Sequence, residues 1–475
     1  MKTIALLIMA SAIGCQLGVA QVTTSKSDEV VAAARTATNA DSTTNVVSSA
    51  AHEKREGAHQ IPENQPQRAV VDQRQPRISF QERFRIESTD NATTMASSAN
   101  GGSSYSRYRS LLTVQYVPVE ELETTVKLGN EFRYYFAPTN KGFSSNEFFF
   151  DQLYAKWNLQ SMVPAMVTVG RQNMVLGEGF LVADGTSLDG SRTTYFDAIR
   201  ADVAVAPQHL LTLFYSFVPR MDRVLPRVHD QAQLLDDGGE GGAGVYYTGD
   251  LGTTNLQAYL LHKENYTSID RPVRSHINAA GGRIKLPLVA GLSFTGEGAY
   301  EFGLYGNEKW TGLGGYSYLD YKTGGSGAVP SMVSLKAVYL SGDKPGTTAR
   351  EGWDPMWGRT PKWNDLYYYS FTKESGVGYW TNYLSIGPSL SFAFSKEVNG
   401  VFGFYNLSAP QAPLAAKFPG GTGKNRGNLF SARIYYTLNE TFTGHVVWER
   451  LQPGSFFFKD ASVATWMRIE LIANI

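Results

Sequence analysis

The chain has 475 residues, and its 43 Lys and Arg balance 43 Asp and Glu, so the formal net charge is zero. That balance argues against a broadly basic nucleic-acid binder, and no nucleic-acid partner is expected. Aromatic residues make up 12% of the chain, charged residues only 18%, and there are 47 Gly, a mixture that suits many strands joined by turns rather than a helical protein.

Residues 1–20 read as a signal peptide. Lys2 is followed by an apolar run, Thr3 to Gly14, and by the small-x-small site Gly18-Val19-Ala20, with cleavage expected after Ala20. The apolar run is shorter than the ~20 residues a spanning helix needs. Lipoprotein processing at Cys15 is the alternative, but Ala12-Ile13-Gly14 ahead of it lacks the Leu of a lipobox. Cys15 is the only cysteine, so cleavage would leave no disulfide and no thiolate metal site. Residues 21–76 are rich in Ser, Thr, Ala, Asn and Gln with almost no aromatics. Such a segment buries too little apolar surface to offset its ordering entropy, and it reads as a disordered periplasmic tail.

From Arg77 the texture changes to runs of alternating residues. In the third run Val126, Leu128, Phe132, Tyr134 and Phe136 share one parity, while Glu123, Thr125, Lys127, Glu131 and Arg133 take the other. Alternate side chains of a strand point to opposite faces. A soluble antiparallel sheet could carry the same pattern. Here it recurs over some 400 residues without an amphipathic helix or a linker, which points to a single barrel. Connections alternate too. Short turns are expected at Val117–Leu122, Gln160–Pro164, Ala206–His209, Gly249–Thr253, Leu286–Gly291, Thr323–Pro330, Ser395–Gly400 and Leu438–Glu440, with long polar loops such as Pro219–Gly244 and Gly342–Asn382 between them. Short periplasmic turns and long external loops are the rule in outer-membrane barrels. The fold expected for residues 77–475 is therefore all-β, a transmembrane antiparallel up-and-down β-barrel of about 18 strands. The count drops to 16 if the hairpin near Gly314–Lys322 fails. The closing strand is legible in Met467, Ile469, Leu471, Ala473 and Ile475 on one parity, with Arg468 and Glu470 on the other.

The sequence lacks G-x-S-x-G, H-E-x-x-H and G-x-x-x-x-G-K-[ST], and its seven His show no metal-ligand spacing. No enzyme activity, metal or cofactor is expected. Arginine on the polar parity stands out instead: Arg83 and Arg85, Arg107 and Arg109, Arg133, Arg200, Arg433 and Arg468, with Lys127 and with the carboxylates Glu123, Glu131, Asp202, Glu449 and Glu470 on the same face. A charge facing lipid at mid-membrane costs about 2–4 kcal/mol, so these groups should face the lumen. Two readings stand together: ion pairs that rigidify the wall, and arginines that line an anion-selective path. Arg85, Arg109 and Arg133 would form one patch if their depths match. Arg171 is ambiguous, since Val167 and Val169 share its parity; a bulge at Gly170 or a position above the membrane would resolve it. Trp353, Trp357, Trp363 and Trp380, beside Asp343, Asp354 and Asp365, form a folded loop with its own small aromatic core, part of the interface girdle, or a sugar-stacking surface.

Several segments resemble the alginate-export family of bacterial outer-membrane β-barrels: Gly170-Arg171-Gln172, then Asp184-Gly185, Asp189-Gly190-Ser191-Arg192 and Phe196-Asp197-Ala198-Ile199-Arg200; Ser341-Gly342-Asp343 with Asp354-Pro355-Met356; and His445 to Gly454, including Glu449 and Arg450. The resemblance implies a monomeric 18-stranded barrel whose arginine-rich constriction passes an anionic polysaccharide, without a cofactor. It places Arg85, Arg109, Arg133, Arg200, Arg433 and Arg468 on the lumen wall and marks Arg171, Asp184, Asp189, Arg192, Asp197, Glu449 and Arg450 as motif residues. The long polar tail departs from the family pattern, and the family includes members whose substrate need not be alginate. The expected function is a passive outer-membrane channel for an anionic polysaccharide or similar acidic solute, with outer-membrane lipid around it and periplasmic export partners possible. A general or uptake porin for small solutes is the alternative, followed by a barrel enzyme or a loop-mediated adhesin.

Overall fold

A computed structural model describes residues 75–92, 95, 102–139, 147–159, 164–183, 195–228, 235–236, 238–269, 271–359, 362–366, 380–413 and 420–475. The signal peptide, its cleavage site, Cys15 and nearly all of the 21–76 tail lie outside these residues, as do Asp184, Asp189 and Arg192.

The alternating runs become eighteen strands: β1 (Arg77–Asp90), β2 (Ser103–Val119), β3 (Leu122–Ala137), β4 (Phe149–Asn158), β5 (Ala165–Gln172), β6 (Phe196–Ala206), β7 (His209–Val218), β8 (Glu240–Leu251), β9 (Thr254–Asn265), β10 (Ser275–Val289), β11 (Leu292–Tyr305), β12 (Glu308–Lys322), β13 (Met332–Leu340), β14 (Tyr383–Ala393), β15 (Val398–Ser408), β16 (Asn425–Thr437), β17 (Phe442–Pro453) and β18 (Ala464–Asn474). The hairpin on which the count depended forms as β12. Every strand pairs antiparallel with its chain neighbours, and β1 also pairs with β18, so the sheet closes on itself. Closure leaves no row of unpaired backbone groups, which hydrocarbon would not tolerate. The last residue completes the seam: Phe80 and Ile475 exchange two backbone hydrogen bonds of 2.8 Å.

The outward parity is apolar and exposed. Phe80, Leu112, Tyr134, Trp157, Ile199, Leu213, Leu260, Leu335, Ile386 and Ile469 belong to it. The inward parity is buried. On β14 the pattern alternates residue by residue, with Ser385 and Ser389 inside and Leu384, Ile386 and Leu390 outside. The short turns read from the sequence gather at the end where β1 starts and β18 stops, the periplasmic end of such a barrel, while one further two-residue turn, Gly306–Asn307 between β11 and β12, lies at the opposite end.

The bore is occupied. Two long connections, β5–β6 and β13–β14, turn into it and touch each other, with Val182 and Trp357 forming a parallel bridge. Phe180 stacks on Trp353 at 5.1 Å. Trp357 packs edge-on to Phe196 and Phe214 on β6 and β7. Glycines on the inward parity make room for the indoles: a Cβ on Gly314 would lie 2.6 Å from Trp353, and one on Gly242 2.6 Å from Trp357. The sequence places residues 342–382 outside the membrane. Residues 353–359, 362–366 and 380 of that loop fold back into the lumen instead, because their apolar side chains need cover that water cannot give, while Asp343–Thr348 stay exposed. Trp353, Trp357 and Trp380 are each at most 2% exposed, so they form the loop's own core rather than an open sugar-stacking surface.

The topology is testable by labelling single cysteines in a chain lacking Cys15. Thr348→Cys, on an exposed stretch of the β13–β14 loop, should react with a membrane-impermeant maleimide in intact cells. Lys396→Cys, exposed in the β14–β15 turn, should react only after lysis. Labelling of Lys396→Cys alone in intact cells would invert the barrel.

Candidate functional site

Register decides which inward charges meet. β1 and β2 place Arg85 opposite Arg107 and Arg83 opposite Arg109. β2 and β3 place Arg107 opposite Arg133 and Arg109 opposite Glu131. Arg85, Arg107 and Arg133 thus form one straight cross-strand row. Arg109 lies two residues lower, level with Arg83. The expectation that Arg85, Arg109 and Arg133 share one depth is corrected here: the level partner of Arg85 and Arg133 is Arg107, which with Arg83 completes a patch of five guanidiniums. Neighbouring strands stand about 4.8 Å apart, so like charges at this spacing require carboxylates among them.

Those carboxylates come from the same strands. Arg85 donates to Glu470 and lies 3.6 Å from Glu87. Arg107 donates to Glu131 at 2.7 Å and lies 3.8 Å from Glu87. Arg109 donates to the side-chain amide oxygen of Gln81, Oε1, at 2.9 Å. The Arg133 guanidinium lies over the Tyr105 ring at 5.3 Å. Glu470 also meets His445 at 3.2 Å. Arg468 continues the wall on β18, 3.6 Å from Glu87 and over Trp466. Lys127 sits on the inward parity of β3, in register with Thr113 and Gln152. The arginines are thus paired with carboxylates into ladders and gathered on one sector of the wall, β16 to β3.

Arg200 and Asp202 face inward too, but on β6. They pair with each other at 2.9 Å, and Thr212 donates to Asp202 at 2.6 Å. They form a local ladder apart from the basic sector. Arg171 keeps the outward parity of Val167 and Val169 but lies at the long-loop end of β5, where it is covered by the loop above. It donates to Asp197 and Asp222 at 2.9 Å each and lies 4.2 Å from the Tyr195 ring. Gly170 before it has φ 123°, and a Cβ there would lie 2.3 Å from the Leu153 carbonyl oxygen, so only glycine fits. Arg171 and Asp197 therefore clamp a loop to the rim and are not part of the bore. Glu449 is inward and fully buried, whereas Arg450 is outward and exposed.

The sequence reading did not pair the β13–β14 loop with the wall. Lys263 on β9 donates to Asp354 at 3.1 Å and to the Met356 carbonyl at 3.0 Å, with Glu240 at 3.5 Å. Arg359 donates to Asp236 and Glu240, and Arg271 reaches Asp236 at 2.7 Å. Burial alone would raise Asp236, but the guanidiniums of Arg359 and Arg271 outweigh it and hold its carboxyl well below the usual range. Glu178, in the β5–β6 loop, is likewise held low against burial by Lys362 and Arg283. At the far end of the loop, Asp365 accepts from Arg433 and lies 3.6 Å from Arg468. The backbone N–H groups of Asp365 and Leu366 donate to Glu449 at 2.9 and 2.6 Å. The loop therefore crosses the bore, from β8 and β9 at Asp354 to β16–β18 at Asp365. Lys263 was detectable as a cation on the parity of Tyr259 and Leu261; its partner 91 residues away was not. Among the described residues no cluster of His, Cys, Asp or Glu could hold a metal ion.

No family model and no curated protein matches the chain. Solved structures do match. They include OccAB1 of Acinetobacter baumannii (12% identity, 84% of this chain and 96% of that one, TM-score 0.58), OpdK of Pseudomonas aeruginosa solved with vanillate (11%, 84% and 98%, 0.53), and OccK2 (OpdF) of the same organism in complex with glucuronate (9%, 84% and 98%, 0.53). At these identities the likeness speaks for the fold. Together with the closed sheet and its apolar exterior, it identifies this protein as a β-barrel of the bacterial outer membrane.

Replacing Lys263 by Met should leave Glu240 and Asp354 buried with too little positive charge. Breaking a buried pair in this way costs about 3–5 kcal/mol. The expected outcome is an intact barrel with a released loop: heat-modifiable migration is kept, while protease cleaves between residues 341 and 382 in intact cells. Wild-type resistance in the variant would show that Lys263 does not hold the loop.

Proposed function

We propose that this barrel is a passive channel through which small organic anions, carboxylates above all, diffuse into the cell. The observation that carries the reading is the level row Arg85, Arg107 and Arg133, flanked by Arg83, Arg109, Arg433 and Arg468 on one sector of the inner wall. Guanidinium binds carboxylate with two parallel hydrogen bonds. In a narrow bore lined by protein, charge is screened far less than in bulk water. A row of such groups offers a migrating anion successive sites of similar strength, which lets it enter and also leave. Glu87, Glu131 and Glu470 temper that attraction, so the expected behaviour is preference for anions rather than exclusion of cations. Diffusion of this kind requires no catalysis and no cofactor, and one closed barrel encloses the whole path.

Two of the structurally similar barrels were solved with vanillate and with glucuronate. Both molecules are small carboxylates, and this supports the uptake reading. Export of an anionic polysaccharide, the function implied by the resemblance to the alginate-export family, is the second reading. It uses the same arginines on a chain of uronates. A polymer, however, needs the bore clear along its length at one time. The β13–β14 loop, anchored at Lys263 and again at Arg433, lies across it. A small solute needs only local clearance.

Reversal potentials across a salt gradient in planar bilayers test the proposal. The wild-type barrel should prefer chloride over potassium. Changing Arg85, Arg107 and Arg133 together to Ser leaves Glu470, Glu87 and Glu131 behind, so the preference should reverse. A shift of roughly tenfold in the permeability ratio is expected, about 1.4 kcal/mol, with heat-modifiable migration retained. A wild-type channel that prefers cations, or a triple variant with unchanged selectivity, would reduce the arginines to structural ladders.

A further inference from the structure

Asp365 is a carboxylate carried by a loop, yet it sits where a carboxylate solute would bind. Its side chain accepts from Arg433 on β16 and lies 3.6 Å from Arg468 on β18. Both arginines belong to the basic sector of the wall. The contact is one of several that hold the loop tip in place. The others are made by the backbone N–H groups of Asp365 and Leu366, which donate to Glu449 at 2.9 and 2.6 Å, and by Leu366, which is fully buried. Glu449 in turn lies 3.8 Å from Arg433 and accepts from Ser431 at 3.1 Å. The tip thus has anchors that do not depend on the Asp365 charge, which leaves that charge open to a role beyond seating the loop.

We propose that Arg433 and Arg468 form a carboxylate-binding site whose resident ligand is Asp365, and that a solute carboxylate enters the constriction by displacing it. The inference rests on the anion-channel reading and adds to it a named site and a built-in competitor. The exchange balances in charge: one carboxylate replaces another on the same two guanidiniums, and no uncompensated ion is left in the wall. It also has a way in. The Arg433 side chain remains 15% exposed, against 3% for Arg468 and Asp365. An incoming carboxylate can therefore engage Arg433 from its open edge before Asp365 lets go. Once Asp365 is displaced, its carboxylate is repelled by the solute and by Glu449, which favours lifting of the tip. Occupancy by the right chemistry then opens the path for that chemistry, while a neutral solute of the same size has nothing to exchange with.

The competitor can be removed without touching the site. Asp365→Asn and, as a second charge-free variant, Asp365→Ser keep the backbone N–H donors to Glu449. Asp365→Glu keeps the charge. Each full-length barrel is reconstituted in planar bilayers after its heat-modifiable migration is confirmed, and chloride current is recorded as glucuronate is added. The half-saturating glucuronate concentration should fall roughly tenfold in the two charge-free variants, the size of one lost competing charge-assisted contact, and Asp365→Glu should stay near wild type. Equal half-saturation in wild type and whichever charge-free variant folds overturns the proposal. An equal gain in Asp365→Glu overturns it as well, since loosening of the loop would then be the cause. The wild-type reversal potential separates the two levels. Anion preference with no effect of Asp365 sinks only the resident-ligand site, whereas cation preference sinks the channel reading with it.

Discussion

Hydrocarbon cannot satisfy a polar group, and the rest of this structure follows from that. Every backbone N–H and C=O in the membrane needs a partner within the protein, so the sheet must close, and it does so through β1 and β18 down to the final residue. The same constraint sorts side chains. A charge at mid-membrane on the lipid side costs a few kcal/mol, so charged groups collect on the inward parity. Outward charged groups such as Glu264 and Arg274 pair with each other near the long-loop ends of β9 and β10, where water and headgroups are at hand.

Sending charge inward creates a second problem. A bore lined with ions but sealed from water would pay their desolvation cost without return, and a bore open to water throughout would pass any small solute. The protein resolves this by pairing. Arg85, Arg107 and Arg468 share Glu87, and Arg85 and His445 share Glu470. The β13–β14 loop then brings carboxylates of its own, Asp354 to Lys263 and Asp365 to Arg433 and Arg468. Its aromatic core fills the space between. Stability of the loop and electrostatics of the wall are consequently one network, and a change at either end is felt at the other.

How much of this was legible follows from which interactions are local. Alternation is local, so strands, short turns and inward parity could be read directly; Arg83, Arg85, Arg107, Arg109 and Arg133 lie on the face that the alternation assigns them. Register is not local. Whether Arg85 stands level with Arg107 or with Arg109 depends on the residues taken up by the β1–β2 connection, and a shift of two residues preserves parity while changing every neighbour. Arg171 shows the limit of parity itself: it follows Val169, yet at the strand end a loop residue, Asp222, covers it. The inward fold of the β13–β14 loop was least legible. Its tryptophans and carboxylates were visible, but whether an aromatic cluster packs on itself outside the barrel or on glycines inside depends on Gly242 and Gly314, far away in sequence.

The zero net charge, which first excluded a basic protein, has a structural meaning as well. Among the described residues, a basic sector of the wall is neutralised by carboxylates of neighbouring strands and of the β13–β14 loop. Neutrality achieved by pairing differs from neutrality by absence. A wall without arginines has nothing to offer an anion, whereas paired arginines already hold carboxylates in the geometry an anion would take. The cost of binding a solute is then the difference between two similar contacts rather than the full cost of ordering and desolvating a guanidinium. Small differences of that kind suit a channel, in which tight binding would stop flow and weak binding would forgo selection. Under the proposed anion-channel function, the carboxylates of the lumen do not weaken the path: they set the strength against which a passing solute competes.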